Sequence, residues 1–148
     1  MPKLANPTNK QKRAMLNTRW SKWVREHGKC EMNGWAGKCQ GDLTNSHIIS
    51  RTYVKVQFDP RNQQCACGSE HGILGGNPIL FSRFVEQSSC GQYVDVMLVQ
   101  ANATTKPDYD LWFKIYDIVT ERKYNIEQAR EWLGQNIMST IYDLAKLD

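Results

Sequence analysis

The sequence predicts an α+β fold in a single domain, 1–148. A cysteine-rich unit of two strands and a short helix spans about 28–77, between one N-terminal helix and a helical C-terminal part over about 78–148. Three observations carry this. Apolar residues recur at helical spacing behind a capping signal near Thr8. A glycine- and cysteine-rich stretch without periodicity is then followed by two short runs of strand composition. Beyond Pro78 the apolar stripes return to a period near 3.6.

Thr8 followed by Gln11 reads as a capping box, and Met15, Leu16, Trp20, Trp23 and Val24 form one face until Gly28 ends it, so a helix is expected over about 9–27. His27 falls where a histidine favours a helix C-terminus. Residues 28–42 read as a loop, with Gly28, Gly34, Gly37, Gly41, Cys30 and Cys39, and such a loop needs a staple to keep its shape. Leu43–Ile49 and Tyr53–Phe58 have strand composition, with a bend at Ser50-Arg51-Thr52. Asp59-Pro60-Arg61-Asn62 is turn chemistry, and a short helix is expected from Gln63 to about Leu74. Pro78 opens a helix with Ile79, Leu80, Phe84 and Val85 on one stripe, broken near Cys90-Gly91. Tyr93–Leu98 suits strand or helix equally. Asp108 starts a helix carrying Leu111, Trp112, Ile115, Tyr116 and Val119. Asn125 caps a last one with Ile126, Ala129, Leu133, Ile137, Ile141 and Leu144.

A chain of 148 residues with 41% hydrophobic and 23% charged residues supports one ordinary core and is not a disordered composition. The net charge of +4 permits a nucleic-acid partner without demanding one. The charge is concentrated: Lys3, Lys10, Lys12, Arg13, Arg19, Lys22, Arg25 and Lys29 stand against Glu26 alone in the first 29 residues. No apolar run is long enough to span a bilayer and no secretory leader is recognisable, so no membrane association and a cytoplasmic location are expected. Five cysteines without such a leader read as thiols or metal ligands, not as a disulfide framework.

The chain has three histidines, and two frame the cysteine-rich unit. His47 lies on the first expected strand. Asn62, in the turn, follows after fourteen intervening residues, and His71, on the short helix, after eight more. This order and spacing resemble the HNH (ββα-metal) endonucleases. The resemblance implies phosphodiester hydrolysis with His47 as general base, Asn62 holding it in its tautomer and direction, and His71 as ligand of a catalytic Mg²⁺ or Mn²⁺. The chemistry suits those residue types. An imidazole deprotonates water near neutral pH, and a cation offsets charge on the scissile phosphate and the departing 3′ oxygen. Arg51, at the bend, is placed to clamp a phosphate. Arg19, Lys22 and Arg25 add basic groups on the first helix that could lie on DNA phosphates.

Cys30 and Cys39 before the first strand and Cys65 and Cys67 near the short helix resemble the structural zinc knuckle of many HNH enzymes. Here Cys-x-Cys is tight for two ligands of one ion, so Glu70, three residues after Cys67, is an alternative to Cys65. Cys90 reads as a core thiol. A nearer resemblance is to the phage recombination nucleases called NinG or Rap, over about 30–125. It is carried by Phe58-Asp59-Pro60-Arg61-Asn62, Cys67 and Gly76-Asn77. It implies action on branched DNA such as Holliday junctions or D-loops in a bacterial or phage-infected cell. Two sites on one junction imply a symmetric homodimer, with the C-terminal helices as one surface for it. The chain departs from that pattern at Gln57, where the family has arginine, at His71, which replaces asparagine, and at Ser46, where many HNH enzymes place a second ligand; Asp42 is a distant substitute carboxylate. Two other readings stand beside this one. In the first, a non-catalytic zinc-binding DNA module uses His71 as a zinc ligand with Cys30, Cys39 and Cys67. In the second, a sequence-specific restriction or homing nuclease uses the same finger, for which no base-reading signature is visible.

Overall fold

The computed structural model describes residues 6–32, 35 and 39–136. Among them are six α-helices, one 3-10 turn and a two-stranded antiparallel sheet, a mixed α+β fold. The elements run α1 (Asn9–His27), β1 (Leu43–His47), β2 (Gln63–Cys67), α2 (Gly68–Gly75), α3 (Pro78–Gln87), α4 (Val94–Ala101), α5 (Tyr109–Glu121) and α6 (Ile126–Asn136). No helix among the described residues is long and apolar enough to cross a membrane.

The capping box at α1 is formed: Thr8 Oγ1 accepts from the Gln11 amide, and the Gln11 side chain accepts from the Thr8 amide. His27 closes the helix with Nδ1 3.0 Å from the Trp23 carbonyl and its ring stacked on Trp23. The apolar face of α1 (Leu16, Trp20, Trp23, Val24) packs with Leu111, Trp112, Ile115 and Val119 of α5 and Ile126, Ala129 and Leu133 of α6 into the main core. Of the described helices beyond Pro78, α5 and α6 therefore supply one side of the main core, whereas α3 and α4 bury only Phe84, Met97 and Gln100. Asn125 and Gln128 cap α6 reciprocally, and the stretch from Tyr93 that suited either state is helical as α4. Ile137, Ile141 and Leu144 lie outside the described residues.

The second strand differs from the sequence expectation. It is Gln63–Cys67, the short helix begins only at Gly68, and the first strand stops at His47. The register pairs Leu43 with Cys67 and His47 with Gln63. Tyr53–Phe58 is instead a succession of turns in which the amides of Tyr53, Val56, Asp59 and Asn62 each donate to the carbonyl three residues back. The reason is side-chain chemistry. Asn62 Oδ1 accepts from the Ile49 amide at 2.6 Å, while its Nδ2 donates to the carbonyls of Ile49 (3.1 Å) and Val56 (3.0 Å). This supplies the partners that a sheet neighbour would otherwise give. Val56 and Phe58 are buried all the same, so their apolar character serves packing rather than a strand.

One buried cation ties the halves together. Arg130 of α6 donates to the carbonyls of Pro60 and Gln63 and to the carboxylate of Glu31, which in turn accepts from the Cys65 amide. The start of the cysteine loop is thus fixed to β2 and α6 together.

Candidate active site

Two groups of side chains emerge, one on each side of the sheet-to-helix junction. The first is a cysteine cluster. Glu31 N–H donates to the Cys65 carbonyl, which lays Cys30 beside β2. The amides of Gly68 and Ser69 donate to the carbonyls of Asp42 and Gln40, which brings Cys39 against the start of α2. Cys67 is the N-cap of α2, its sulfur accepting from the Glu70 amide at 3.3 Å. The Sγ atoms of Cys30, Cys39 and Cys67 all lie within 4.8 Å of one another, and this trio could hold a metal ion.

The trio's chemistry fits a thiolate site. Hydrogen bonding to Cys30, then burial and Cys67, push the Cys39 thiol up to about 12. Burial works to raise Cys67 too. It is outweighed by the amides of Glu70 and Gln40 and by the thiols of Cys39 and Cys30, so Cys67 falls below the usual thiol range. Cys67 therefore ionises before Cys39. The Cys67 amide also donates to Cys30 Sγ at 3.3 Å. Amide donors on two of the sulfurs favour the charged form that a divalent cation needs.

Cys65 and Glu70 do not join this group. Cys65 packs into the main core, and burial, followed by the Glu31 carboxylate, pushes its thiol up to about 11, which opposes metal binding. Glu70 is buried on the first turn of α2, and its backbone amide donates to the Cys67 sulfur that caps the helix. His71, a zinc ligand in the non-catalytic alternative, also lies outside the trio. Among the described residues no fourth histidine, cysteine or carboxylate completes it.

The second group surrounds a cavity of about 530 Å³ at the end of β1, lined by Ser46, His47, Arg51, His71, Leu74 and Phe81 among others. His47 and His71, 24 positions apart in the chain, thus meet in one cavity. Their ring nitrogens are differentiated by what they touch. His47 Nε2 lies 2.9 Å from the carbonyl of Gln57, and a carbonyl only accepts, so Nε2 carries the proton and Nδ1 keeps its lone pair. His71 has the opposite arrangement. Thr44 Oγ1 donates to the Ala66 carbonyl (2.8 Å), spending its single proton, so at 2.9 Å it must accept from His71 Nδ1–H, and Nε2 keeps the lone pair. Burial drives the His47 pKa down to about 4. The Gln57 carbonyl opposes this, and the charges of Arg51 and His71 add to it, so the ring is neutral at physiological pH.

The Asn62 side chain hydrogen-bonds to Ile49 and Val56 and not to the His47 ring. It acts one step away, clamping the 49–56 loop that presents the Gln57 carbonyl. Among the described residues no carboxylate lines the cavity. Ser46 is buried on its wall, and Asp42 is exposed and not part of it. Arg51 lines the cavity. The other basic candidates lie elsewhere: Arg19 stacks over Phe113 and Tyr116 of α5, Lys22 pairs with Glu26, and Arg25 is exposed on the same helix.

Thr44 and Gln57 have roles that residue type does not announce, since one acts by a hydroxyl across the strand pair and the other by its backbone carbonyl. Lys10 and Arg13 were legible in principle. They stand at i and i+3 on one helix face with Asn17, and all three line a groove beside the cavity. Arg13 Nε donates to Gln57 Oε1 at 2.8 Å, which holds an α1 guanidinium against the loop that carries the Gln57 carbonyl. No family model matches the chain, and no curated protein or solved structure matches it either.

Proposed function

We propose that the protein is a metal-dependent DNA endonuclease built on an HNH (ββα-metal) finger, β1–β2–α2, with structural zinc on Cys30, Cys39 and Cys67. The observation that carries this reading is the pair of opposed tautomers in one cavity. His47 offers a bare Nδ1 and His71 a bare Nε2, each fixed by a hydrogen bond at its other nitrogen. Two structural histidines have no need of complementary lone pairs at one polar cavity; a base and a ligand do.

In this reading His47 Nδ1 takes the proton of a water as that water's oxygen attacks phosphorus and the bond to the 3′ oxygen breaks. The Gln57 carbonyl holds Nε2–H and stabilises the imidazolium that results. Arg51 orients the phosphate. His71 Nε2 would hold Mg²⁺ or Mn²⁺, which supplies charge neutralisation on the phosphate and the departing oxygen. One imidazole nitrogen, with no carboxylate on the cavity wall among the described residues, suits an ion that keeps most of its waters. The branched substrate, and a dimer to match it, follow from the NinG-like resemblance. The zinc-module alternative gains no support from the cysteine trio, which excludes His71.

The test is cleavage of a supercoiled plasmid and a synthetic four-way junction with and without Mg²⁺ or Mn²⁺, wild type beside His47→Ala. The expected outcome is metal-dependent cutting, faster on the junction and lost in the variant, whose zinc content and DNA affinity stay near wild type. Cutting by His47→Ala at the wild-type rate would falsify the base assignment.

A further inference from the structure

A groove of about 260 Å³ runs beside the histidine cavity between α1 and the 51–57 loop, and Lys10, Arg13 and Arg51 line it with Asn17 and Gln57. Arg51 lines both spaces, so they share a wall. Three cations border the groove, and among the described residues no carboxylate does. Among the described residues none of the three is in an ion pair, whereas Lys12 and Lys22 of the same helix are matched with Asp110 and Glu26. Like charges gathered without counter-charges repel one another unless an anion joins them. Arg13 is also pre-positioned, its Nε donating to Gln57 Oε1 and its Nη2 to the Arg51 carbonyl at 3.1 Å, which leaves Nη1 uncommitted. A guanidinium already fixed on one edge loses little freedom when it takes an anion on the other.

We propose that Lys10 and Arg13 form a second phosphate subsite, joined to the first through Arg51 on the shared wall and seating the backbone phosphate next to the one cut. This rests on the nuclease reading above. It moves the principal DNA-binding face of α1 from Arg19, Lys22 and Arg25 to the side that meets the cavity. The subsite also touches the base. Gln57 holds Arg13 by its side chain and His47 by its carbonyl, so the flanking phosphate and the general base are set against one residue.

The test is the affinity of a fluorescent DNA duplex over a range of salt in Mg²⁺-free buffer, in a His47→Gln background that cannot cut. Lys10→Ala removes an exposed side chain that has no ion pair among the described residues, and it leaves the fold intact. Lys10→Ala/Arg13→Gln is compared with Lys22→Ala/Arg25→Ala, which removes the same charge from the same helix. Each protein–phosphate pairing removed should lower the slope of log affinity against log salt by about 1. The expected result is a drop of about 1 for the single variant and about 2 for the first double, whose affinity also falls tenfold or more. The second double should stay within about twofold of the parent. Equal effects in the two doubles, or no effect in Lys10→Ala, overturn the subsite. The nuclease reading fails separately: a protein whose binding weakens in this pattern, yet whose wild type cuts no DNA with any divalent cation, keeps the subsite and sinks the catalysis.

Discussion

Thr44 Oγ1 lies 2.9 Å from His71 Nδ1 and 2.8 Å from the Ala66 carbonyl, so one hydroxyl both bridges the strand pair and sets the tautomer of a helix residue. Thr44→Val removes the acceptor and lets the ring turn or change tautomer. Loss of such a partner typically weakens a metal site by about 10- to 100-fold. The Mg²⁺ concentration for half-maximal cleavage should therefore rise by about tenfold, with the rate at saturating metal changed far less, and Thr44→Ser should restore it. An unchanged metal dependence in Thr44→Val would remove His71 from the metal.

His47 is neutral because it is buried, and that has a consequence for stability. Its pKa is about 4 in the folded chain and near 6.5 once unfolded. Between those values the unfolded chain binds a proton that the folded chain does not. The contribution is intact above pH 6.5 and is lost as pH falls towards 4, at most ~3 kcal/mol. His47→Gln keeps an N–H donor for the Gln57 carbonyl and cannot titrate. Urea unfolding of the two proteins from about pH 7 to about pH 4.5 should show wild type losing stability faster than the variant. Parallel curves would mean that His47 is ordinary.

The cysteine trio predicts a sharp division among similar substitutions. If the trio holds the proposed zinc, Cys30→Ser, Cys39→Ser and Cys67→Ser should each lose it and unfold at lower denaturant, because a metal bound only by the folded chain stabilises that chain. Cys65→Ser should keep one zinc per chain and cost about 1–3 kcal/mol for a hydroxyl placed in the core. Elemental analysis of the purified variants decides the matter. Zinc lost from Cys65→Ser but retained in Cys39→Ser would reverse the ligand assignment.

The sequence carried the helices well, because their signals are local. The box at Thr8 and Gln11, the stripe from Leu16 to Val24 and the caps at Asp108 and Asn125 all act within a turn. It misled at the second strand. Tyr53, Val56 and Phe58 have strand character yet sit in turns. Gln63–Cys67 has none yet is buried at every residue, because Gln63 donates to the Phe58 carbonyl, Gln64 to Cys90 and the backbone to β1. The two histidines were legible by order and spacing. Their partners were not, since Thr44 and the Gln57 carbonyl depend on a register that spacing does not encode. The cysteines were legible as a group, but which three converge depends on where β2 ends.

Asn62 supports the site through the backbone and without a hydrogen bond to the His47 ring, which makes its removal informative. Asn62→Ala strips partners from three backbone groups, the Ile49 amide and the carbonyls of Ile49 and Val56. At roughly 1–3 kcal/mol for each buried group left unmatched, the fold should lose about 3 kcal/mol or more. The loop to Gln57 then slackens, and with it the enclosure that depresses His47. The His47 ring, followed by NMR, should titrate closer to 6.5 than to 4, and kcat should fall while KM for DNA holds. A variant that stays folded, titrates His47 as wild type does and still cuts at full rate would show that the clamp and the base are independent. Asn62 would then be a turn former alone.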